Sequence, residues 1–142
     1  MSWSARIREW VARRFSKKSL GDRGEDGAAK FLKRQGFHIL ARSLDSPLGE
    51  LDIVAVDGRT VVFVEVKTRR SDDAGRPSEA IDQRKEQRMT QAALAYLKSN
   101  RLLNYSARFD VVAITWPNDA RKPIIEHFKN AFSPVGAGQF FS

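Results

Sequence analysis

The sequence predicts an α/β fold in which a mixed central β-sheet is flanked by helices, and three observations support this. The chain has 142 residues, the length of one ordinary domain. Two segments rich in Val and Ile are separated by Asp57-Gly58, a strong signal for an antiparallel hairpin. A long segment of helical periodicity then precedes further strand-like segments, and such a helix permits a crossover to a parallel strand. The sheet is therefore expected to contain both kinds of strand pairing.

The first predicted element of this domain is a helix. The spacing of Ser19-Leu20-Gly21-Asp22 is that of a capping box, and the helix is expected to run to about Gln35, where Gly36 ends it. Phe37 to Arg42 is predicted to be a short strand, and residues 44–48 a loop. The remaining elements are predicted at 51–56 (strand), 60–68 (strand), 70–77 (loop), 78–99 (helix), 107–115 (strand) and 124–132 (strand).

Composition divides the chain into residues 1–19, a domain at 20–132 and a tail at 133–142. Residues 1–19 hold six Lys and Arg residues against one Glu, and their apolar residues recur at helical spacing, so we predict a basic amphipathic helix. It could bind a membrane surface or nucleic acid. Docking on its own domain or on a second copy is favoured, since tryptophans at this spacing usually bury. The tail is rich in small residues and is predicted to be flexible.

The composition also excludes several classes of function. The chain contains no cysteine, which excludes thiol catalysis, a cysteine zinc site and disulfides. No apolar run reaches the roughly 18 residues needed to span a bilayer. Arginines interrupt the N-terminal region where a signal peptide would need an apolar core, so a cytoplasmic protein is expected. The net charge of +8 and the pI of about 10.2 favour an anionic partner, nucleic acid before membrane.

The predicted hairpin brings charged residues to one face of the sheet. A two-residue turn at Asp57-Gly58 pairs Val56 with Arg59 and sets Asp52 opposite Phe63. Side chains alternate between the two faces along each strand. One face then collects Glu50, Asp52, Glu65 and Lys67. The other is a predicted core face that collects Leu51, Ile53, Ala55, Val62, Val64 and Val66.

Three carboxylates and one lysine on a single patch favour a bound metal. Like charges opposite each other destabilise a sheet, and a divalent cation removes this cost, since carboxylate oxygens are the ligands that magnesium selects. Magnesium brings water as a nucleophile and polarises a phosphoryl oxygen, while Lys67 could orient that water or stabilise charge on the phosphate. The alternative is a solvated strand face. We favour the site because residues 63–67 have the pattern of a central strand, where charges are rare.

Two helical residues could join this site. Glu25 lies on the apolar stripe of the first helix and is either a fourth metal ligand or a buried hydrogen-bonding group, with the first favoured. Lys85 lies on the apolar stripe of the long helix, where it could reach the site and hold a phosphate or, equally, extend to solvent. His38 and His127 have no partner of metal or triad type in the sequence and are interpreted as structural.

Several segments resemble the motifs of one nuclease superfamily. Asp52, followed at a distance by Glu65-Val66-Lys67, is similar to the core signature of the restriction-endonuclease-like nucleases. More closely, residues 49–54, 63–69 and 108–112 resemble the bacterial YraN-like family, which is similar to the archaeal Holliday-junction resolvases. The resemblance covers about residues 21–132, and Leu51 stands where the superfamily often has proline.

This resemblance implies a four-stranded mixed sheet flanked by helices, with Lys67 as the catalytic lysine and Glu25 as a carboxylate carried by a helix. The expected catalytic residues are Asp52, Glu65, Lys67 and Glu25. The expected metal ligands are Asp52, Glu65, Glu25 and Glu50. The expected nucleic-acid contacts are Lys85, Arg69 and Arg88.

The function that follows is a magnesium-dependent endonuclease, with manganese as an alternative cation. It would hydrolyse phosphodiester bonds of DNA, including branched, junction-like DNA, and a homodimer is expected because junction resolution normally uses two active sites. Two other classes stay open: a nucleic-acid-binding protein that keeps the fold without turnover, and a peripheral membrane or scaffold protein that acts through residues 1–19. The complete set of Asp52, Glu65 and Lys67 favours the enzyme.

Overall fold

The computed structural model describes residues 20–70, 83–117 and 122–134. In these ranges a five-stranded mixed sheet carries one helix on each face, which confirms the predicted α/β class. Neither of these helices is both long and apolar enough to cross a membrane. The elements are α1 (Leu20–Arg34), β1 (His38–Ser46), β2 (Gly49–Asp57), β3 (Thr60–Arg70), α2 (Gln83–Ser99), β4 (Ser106–Trp116) and β5 (Ile124–Phe132).

The strands lie in the sheet in chain order, β1-β2-β3-β4-β5. β3 and β4 are parallel, and α2 lies in the connection between them, as the crossover prediction required. The other neighbouring pairs are antiparallel. β3 is thus the central strand, and it is buried from Val61 to Glu65.

Most predicted bounds agree with the structure to within two residues, and β5 occupies 124–132 as predicted. Four predictions lie wholly or mainly outside the described residues: the helix at 1–19, the loop at 70–77, the start of the helix at 78–99, and the tail.

β1 is longer than predicted, because a tight turn at Pro47-Leu48 replaces the expected loop. The Ser46 hydroxyl closes this turn. It donates to the Gly49 carbonyl (2.8 Å) and accepts from the N–H groups of Leu48 and Gly49 (3.2 Å each). The sheet has five strands, so the four-stranded sheet implied by the resemblance is wrong for this chain.

The turn between β2 and β3 is formed by Gly58-Arg59, one residue later than the predicted Asp57-Gly58. Asp57 pairs with Thr60 instead of lying in the turn. Gly58 has a φ of +62°, in the left-handed region that glycine adopts without a steric penalty. Arg59, the second turn residue, does not have a positive φ, so only the first turn position favours glycine, and Gly58 occupies it.

The later turn shifts the hairpin register by two residues. Ile53 pairs with Val64, so the next residues outward on the two strands are Asp52 and Glu65, and not Asp52 and Phe63 as predicted. A shift of two preserves the alternation of side chains between faces. The predicted faces of β3 therefore survive, while the two key carboxylates lie closer along the strands than expected.

The sheet is buried on both faces. α1 covers a cluster that includes Ile53 and Val64, and α2 covers a second cluster that includes Leu51 and Phe63. The prediction that Leu51 shares a core face with Ile53 is therefore wrong, because the regular pairing of β2 with β3 ends at Ile53. Glu65, two residues after Phe63, belongs to the side of the sheet that α2 covers.

α1 lies against β3 at Gly24, and this contact permits a prediction about stability. A Cβ at Gly24 would overlap the Thr68 hydroxyl, whereas a Cβ at Gly27 would only touch Ile114 Cδ1 at 3.6 Å. We expect Gly24→Ala to lower the free energy of unfolding by about 1–3 kcal/mol, because α1 must move away from β3. The matched control, Gly27→Ala, should be neutral or stabilise by up to about 1 kcal/mol. Chemical denaturation measures both, and equal stability of the two variants would contradict the prediction.

Candidate functional site

A cleft opens at the point where β2 and β3 separate. The last residue pair between these strands is Ile53–Val64. Beyond it, the Asp52 carboxylate takes the place of a backbone acceptor, since its Oδ2 accepts a hydrogen bond from the Val66 N–H (2.9 Å). This bond fixes the Asp52 side chain beside Glu65, at the open part of the sheet.

Two adjoining cavities of about 460 and 430 Å³ form the cleft. The residues common to both are Glu50, Asp52, Glu65 and Lys85. The side towards α2 is lined by Gly49, Arg84, Arg88 and Met89. The side towards α1 is lined by Asp22, Glu25, Val66, Lys67 and Thr68. The cleft thus contains every predicted site residue except Arg69, which lies further along β3, level with Thr115 of β4.

Glu65 lies at the centre of the cleft and contacts two lysines. It is 4 % exposed. Its Oε1 accepts a hydrogen bond from Lys85 Nζ and lies 3.5 Å from Lys67 Nζ. Lys85 therefore reaches the site from α2, the first of the two alternatives that the sequence allowed.

The two lysines respond in opposite ways to this environment. Burial, together with the hydrogen bond and charge of Lys85, lowers the pKa of Lys67 below its ordinary value. Burial also acts against the charge of Lys85, but the hydrogen bond and charge of Glu65 outweigh it and raise the pKa of Lys85. Lys67 is thus the lysine of the cleft that releases a proton more readily than usual.

The carboxylates of the cleft repel one another. Burial and the adjacent charge of Glu65 raise the pKa of Asp52 to about 7, although the Val66 N–H acts in the opposite direction. Burial and the charges of Asp45, Glu25 and Glu65 also raise the pKa of Glu50. A raised carboxyl pKa means that the ionised form is disfavoured where it stands. The cleft therefore favours the binding of further positive charge.

Glu25 lines the cleft, but its strongest contacts are with β1. Its Oε1 accepts from Ser43 Oγ (2.7 Å) and from Arg42 Nε (3.2 Å), and its side chain is 13 % exposed. Arg42 also binds Asp26 (2.7 Å). Of the two roles considered for Glu25, the hydrogen-bonding role is the one seen in these contacts. No signal in the sequence links Glu25 to β1.

The first turns of α2 form a basic wall on one side of the cleft. Arg84, Lys85 and Arg88 line it, and Lys85 reaches from it to the Glu65 carboxylate. Arg84 was not among the predicted site residues, although its position four residues before Arg88 places both on one helical face. Gly49 lies against this wall, next to the Arg88 carbonyl oxygen, and has a φ of +151°. Side chains other than glycine rarely adopt this φ, so a glycine is favoured where β2 approaches α2.

The residues of the cleft fit a small magnesium site better than the four-carboxylate site that was expected. Among the described residues, no group of three or more Asp, Glu or His side chains is arranged to hold a metal ion. The structure does not bring Glu25 and Glu50 together with the other two carboxylates as one ligand set. Magnesium, however, is commonly bound through one or two carboxylates together with waters and phosphate oxygens. The adjacent pair of Asp52 and Glu65, in which the pKa of Asp52 is raised to about 7, suits that smaller requirement.

The raised pKa of Asp52 predicts how stability depends on pH. An unfolded Asp ionises near pH 4, whereas folded Asp52 keeps its proton until about pH 7. The folded state therefore binds more protons between these values, and the free energy of unfolding falls as pH rises through that window. Asp52→Asn removes this penalty. In metal-free buffer at pH 8, we expect the variant to be more stable than wild type by roughly 1–3 kcal/mol, with the difference disappearing near pH 4.

Denaturant titrations at several pH values test this prediction. Glu126→Gln is the matched control, since Glu126 is an exposed carboxyl on β5. It should show no comparable gain at pH 8. A wild-type stability that does not change between pH 4 and 8, or an Asp52→Asn variant no more stable than the control, would count against the assigned electrostatics.

A separate charged cluster is centred on Asp110, which is fully buried. Asp110 accepts from Arg108 Nε (3.0 Å) and from the Asn130 N–H (2.9 Å), and lies 2.8 Å from His127 Nε2. Arg108 also binds Asp57 (2.9 Å). This cluster ties β4 to β5 and to the end of β2, outside the cleft. The segment 108–112, which carried part of the resemblance, thus has a structural role in this chain.

The two histidines of the chain lie away from the cleft. His127 is part of the Asp110 cluster and packs edge-on against Phe31 and Phe37. His38 is exposed on β1. Both positions agree with the structural interpretation, although the Asp110 partner of His127 could not be recognised from the sequence.

Comparison with known proteins identifies the class to which this chain belongs. A family model described as "Uncharacterised protein family UPF0102" matches residues 24–114, and the chain is a member of that family. This is the family that the YraN-like resemblance indicated. The matched range includes every residue that lines the cleft except Asp22, and it ends within β4.

Individual relatives match across most of their length. A UPF0102 protein of Rhodopirellula baltica is 44 % identical over 125 residues, which cover 86 % of this chain and 75 % of the relative. A UPF0102 protein of Geobacter sulfurreducens is 50 % identical over 116 residues, covering 81 % of this chain and 89 % of the relative. A UPF0102 protein of Syntrophotalea carbinolica is 45 % identical over 122 residues, covering 86 % and 98 %. None of these names states an activity.

Proposed function

We propose that this protein is a metal-dependent endonuclease that hydrolyses phosphodiester bonds. The observation that carries the proposal is the proximity of Asp52, Glu65 and Lys67 in one cleft, at the point where β2 separates from β3. A strand pair that opens at a buried carboxylate, Glu65, and a half-buried one, Asp52, gives up backbone pairing and adds charge repulsion. A bound divalent cation offsets the repulsion, which supports a catalytic explanation over a purely structural one.

The charge distribution of the cleft suits a phosphodiester substrate. Arg84, Lys85 and Arg88 stand on one wall, and they would bind the non-bridging oxygens of a phosphate. The carboxylates stand on the strands. An anionic substrate would be repelled by these carboxylates unless a cation lay between them, so the two halves of the cleft suit a cation and a phosphate bound together.

Each residue then has a role that its environment supports. Asp52 and Glu65 would hold Mg²⁺, with Mn²⁺ as an alternative. When bound, such a cation neutralises charge on the phosphoryl group and lowers the pKa of a water molecule. Lys67, whose pKa is lowered, can exchange a proton with the attacking water or stabilise charge on the phosphate. Lys85 orients the Glu65 carboxylate and presents a cation at the entrance of the cleft.

The finer parts of the proposal concern substrate and assembly. DNA is the proposed substrate, including branched DNA, and a homodimer in the cytoplasm is the proposed form. Glu25 supports the cleft through its contacts with Arg42 and Ser43. Arg69 is proposed to contact nucleic acid beyond the cavities, because it follows Lys67 on the same strand.

A substrate panel tests the proposed function. Purified protein is incubated with single-stranded, duplex, flap and four-way DNA, and with RNA of matched sequence, in Mg²⁺, Mn²⁺ or EDTA. We expect cleavage of at least one substrate with either cation and none in EDTA. Cleavage that persists in EDTA, or that is equal with heat-inactivated protein, would contradict metal-dependent hydrolysis by this chain.

One observation favours a second candidate, a nucleic-acid-binding protein without turnover. Lys85 Nζ donates a hydrogen bond to a Glu65 oxygen that a metal ion would otherwise bind. Among the described residues, no group of three or more side chains is arranged to hold a metal ion. A salt bridge at that position could replace the metal permanently. The panel separates the two candidates, because the binding protein would retain each substrate intact in every buffer.

A further inference from the structure

A second concave surface lies on the other side of α1 from the cleft. We call it the α1 groove and define it by Arg23, Lys30 and Arg34 of α1 together with Trp116 and Lys122. Its volume is about 500 Å³. The groove lies between α1 and the connection from β4 to β5, and none of its residues lines the cleft.

The groove is strongly cationic. Four Lys and Arg residues line it, and the acidic residue among the described lining residues, Asp26, binds Arg42 at 2.7 Å. Arg23, Lys30 and Arg34 follow one another at seven and four residues along α1. Those steps are about 10 and 6 Å along the helix axis, a row of about 16 Å in all. Lys122 supplies a cation from the opposite wall.

One cation of the groove is held in place by an aromatic ring. The Arg23 guanidinium lies over the Trp116 ring, 4.6 Å from its centroid. A guanidinium held over a ring keeps its N–H groups, which point outwards in its own plane, available to bind a phosphate. A pre-positioned arginine loses less side-chain entropy on binding than a free one does.

The groove and the cleft open at the same end of the sheet. Arg70, at the end of β3, pairs with Trp116, at the end of β4. The first turns of α1 separate the two surfaces: Asp22 and Glu25 line the cleft, while Arg23 and Asp26 line the groove. A chain that leaves the cleft over the start of α1 therefore enters the groove directly.

We propose that the α1 groove binds the phosphate backbone of the nucleic acid whose phosphodiester lies in the cleft. This inference rests on the proposed function for the identity of the ligand. The row of cations along α1 is about as long as the axial rise of five nucleotides of one DNA strand. A concave site with cations on both walls suits a narrow polyanion better than a planar membrane surface, which could not reach both walls together. The contacts are to backbone, so they carry no sequence preference.

Binding measurements with two charge-reversed variants test the groove. Lys30→Glu with Lys122→Glu reverses an exposed cation on each wall. The control, Arg59→Glu with Lys98→Glu, makes the same change in net charge at exposed positions near the opposite end of the sheet. The probe is a fluorescently labelled DNA duplex several helical turns long, in EDTA to prevent cleavage, titrated at a series of salt concentrations.

We expect the groove variant to bind the duplex about tenfold more weakly than wild type or worse, and its plot of log K against log salt to be shallower by about two. The control variant should lose only a few-fold. Circular dichroism shows that each variant is folded. Equal weakening by the two variants would overturn the inference, since it would show a general effect of net charge. Binding of phosphatidylserine–phosphatidylcholine vesicles, but not of the duplex, would overturn it as well.

The outcome is separable from that of the proposed function. If wild type binds the duplex through the groove but cuts nothing in Mg²⁺ or Mn²⁺, the groove stands and the hydrolysis proposal fails. If wild type cuts nucleic acid and both variants bind it alike, the hydrolysis proposal stands and the groove inference fails.

Discussion

Replacing Lys67 with alanine is expected to lower the rate of phosphodiester cleavage by roughly 100-fold or more, as for other single electrostatic catalysts. Metal binding should stay largely intact, because a protonated lysine has no lone pair with which to ligate magnesium. Nucleic-acid binding should change little, because it follows the wider basic surface. The loss should therefore appear in kcat, with KM nearly unchanged. Single-turnover cleavage across a range of protein concentrations measures the rate and the substrate affinity, and calorimetric titration of the same preparations measures the metal affinity.

The matched control for this prediction is Lys98→Ala. Lys98 is exposed near the end of α2, far along the helix from Lys85, and its replacement makes the same change in net charge. The control should cut at close to the wild-type rate. If Lys67→Ala keeps activity within a few-fold of the control, or if it loses metal binding as well, the catalytic role assigned to Lys67 is wrong.

Asp110→Ala is expected to have the largest effect on stability, a loss of about 3–5 kcal/mol in the free energy of unfolding. The substitution removes the fully buried carboxylate that the Arg108 guanidinium, the His127 ring and the Asn130 N–H share. Removing one member of a buried ion pair costs far more than the pair itself contributes to stability, because the remaining charge is left without a partner. Urea denaturation followed by tryptophan fluorescence measures the loss.

Glu126→Ala is the control for the Asp110 experiment. It removes an exposed carboxylate from β5, and exposed substitutions of this kind change stability by about 0.5 kcal/mol or less. A loss under about 1 kcal/mol for Asp110→Ala would show that the cluster is not the support assigned to it.

Much of the fold could be predicted because it follows from local periodicity. The 3.6-residue pattern of α1 and the Val- and Ile-rich strands need no knowledge of distant contacts. The faces of β3 were also predicted correctly although the register was not, because side chains alternate along a strand whatever residues it pairs with. The inference that Glu65 and Lys67 share a face therefore did not depend on the hairpin register.

The errors arose where contacts between distant residues override the local pattern. Asp52 lies 14 positions before Val66, and its bond to that N–H accompanies the opening of β2 from β3. That opening puts Leu51 and Ile53 in different clusters, which no periodic pattern anticipates. The position of the turn was also ambiguous in the sequence. Gly58 can adopt the left-handed conformation as the second residue of a turn at Asp57-Gly58 or as the first residue of a turn at Gly58-Arg59.

Parts of the site were beyond prediction for a similar reason. Glu25 is held by Arg42 and Ser43, 17 and 18 positions later in the chain. The apolar stripe of α1 does not predict these partners. The α1 groove collects cations from Arg23 to Lys122. In the sequence these are indistinguishable from the general excess of positive charge, +8 over the chain. Only the packing of α1 against the sheet brings them together.

The measurement that tests the central claim most directly is cleavage by wild type and by Glu65→Gln, run in parallel on the substrate that the panel selects, across a magnesium titration. Glu65→Gln keeps the shape of a buried side chain that lines the cleft and removes its charge. We predict that wild type cuts in a magnesium-dependent manner and that Glu65→Gln is slower by roughly 100-fold or more at every magnesium concentration. Equal cleavage by the two proteins, or no cleavage by wild type of any substrate with either cation, would contradict the assignment of this cleft as a nuclease active site.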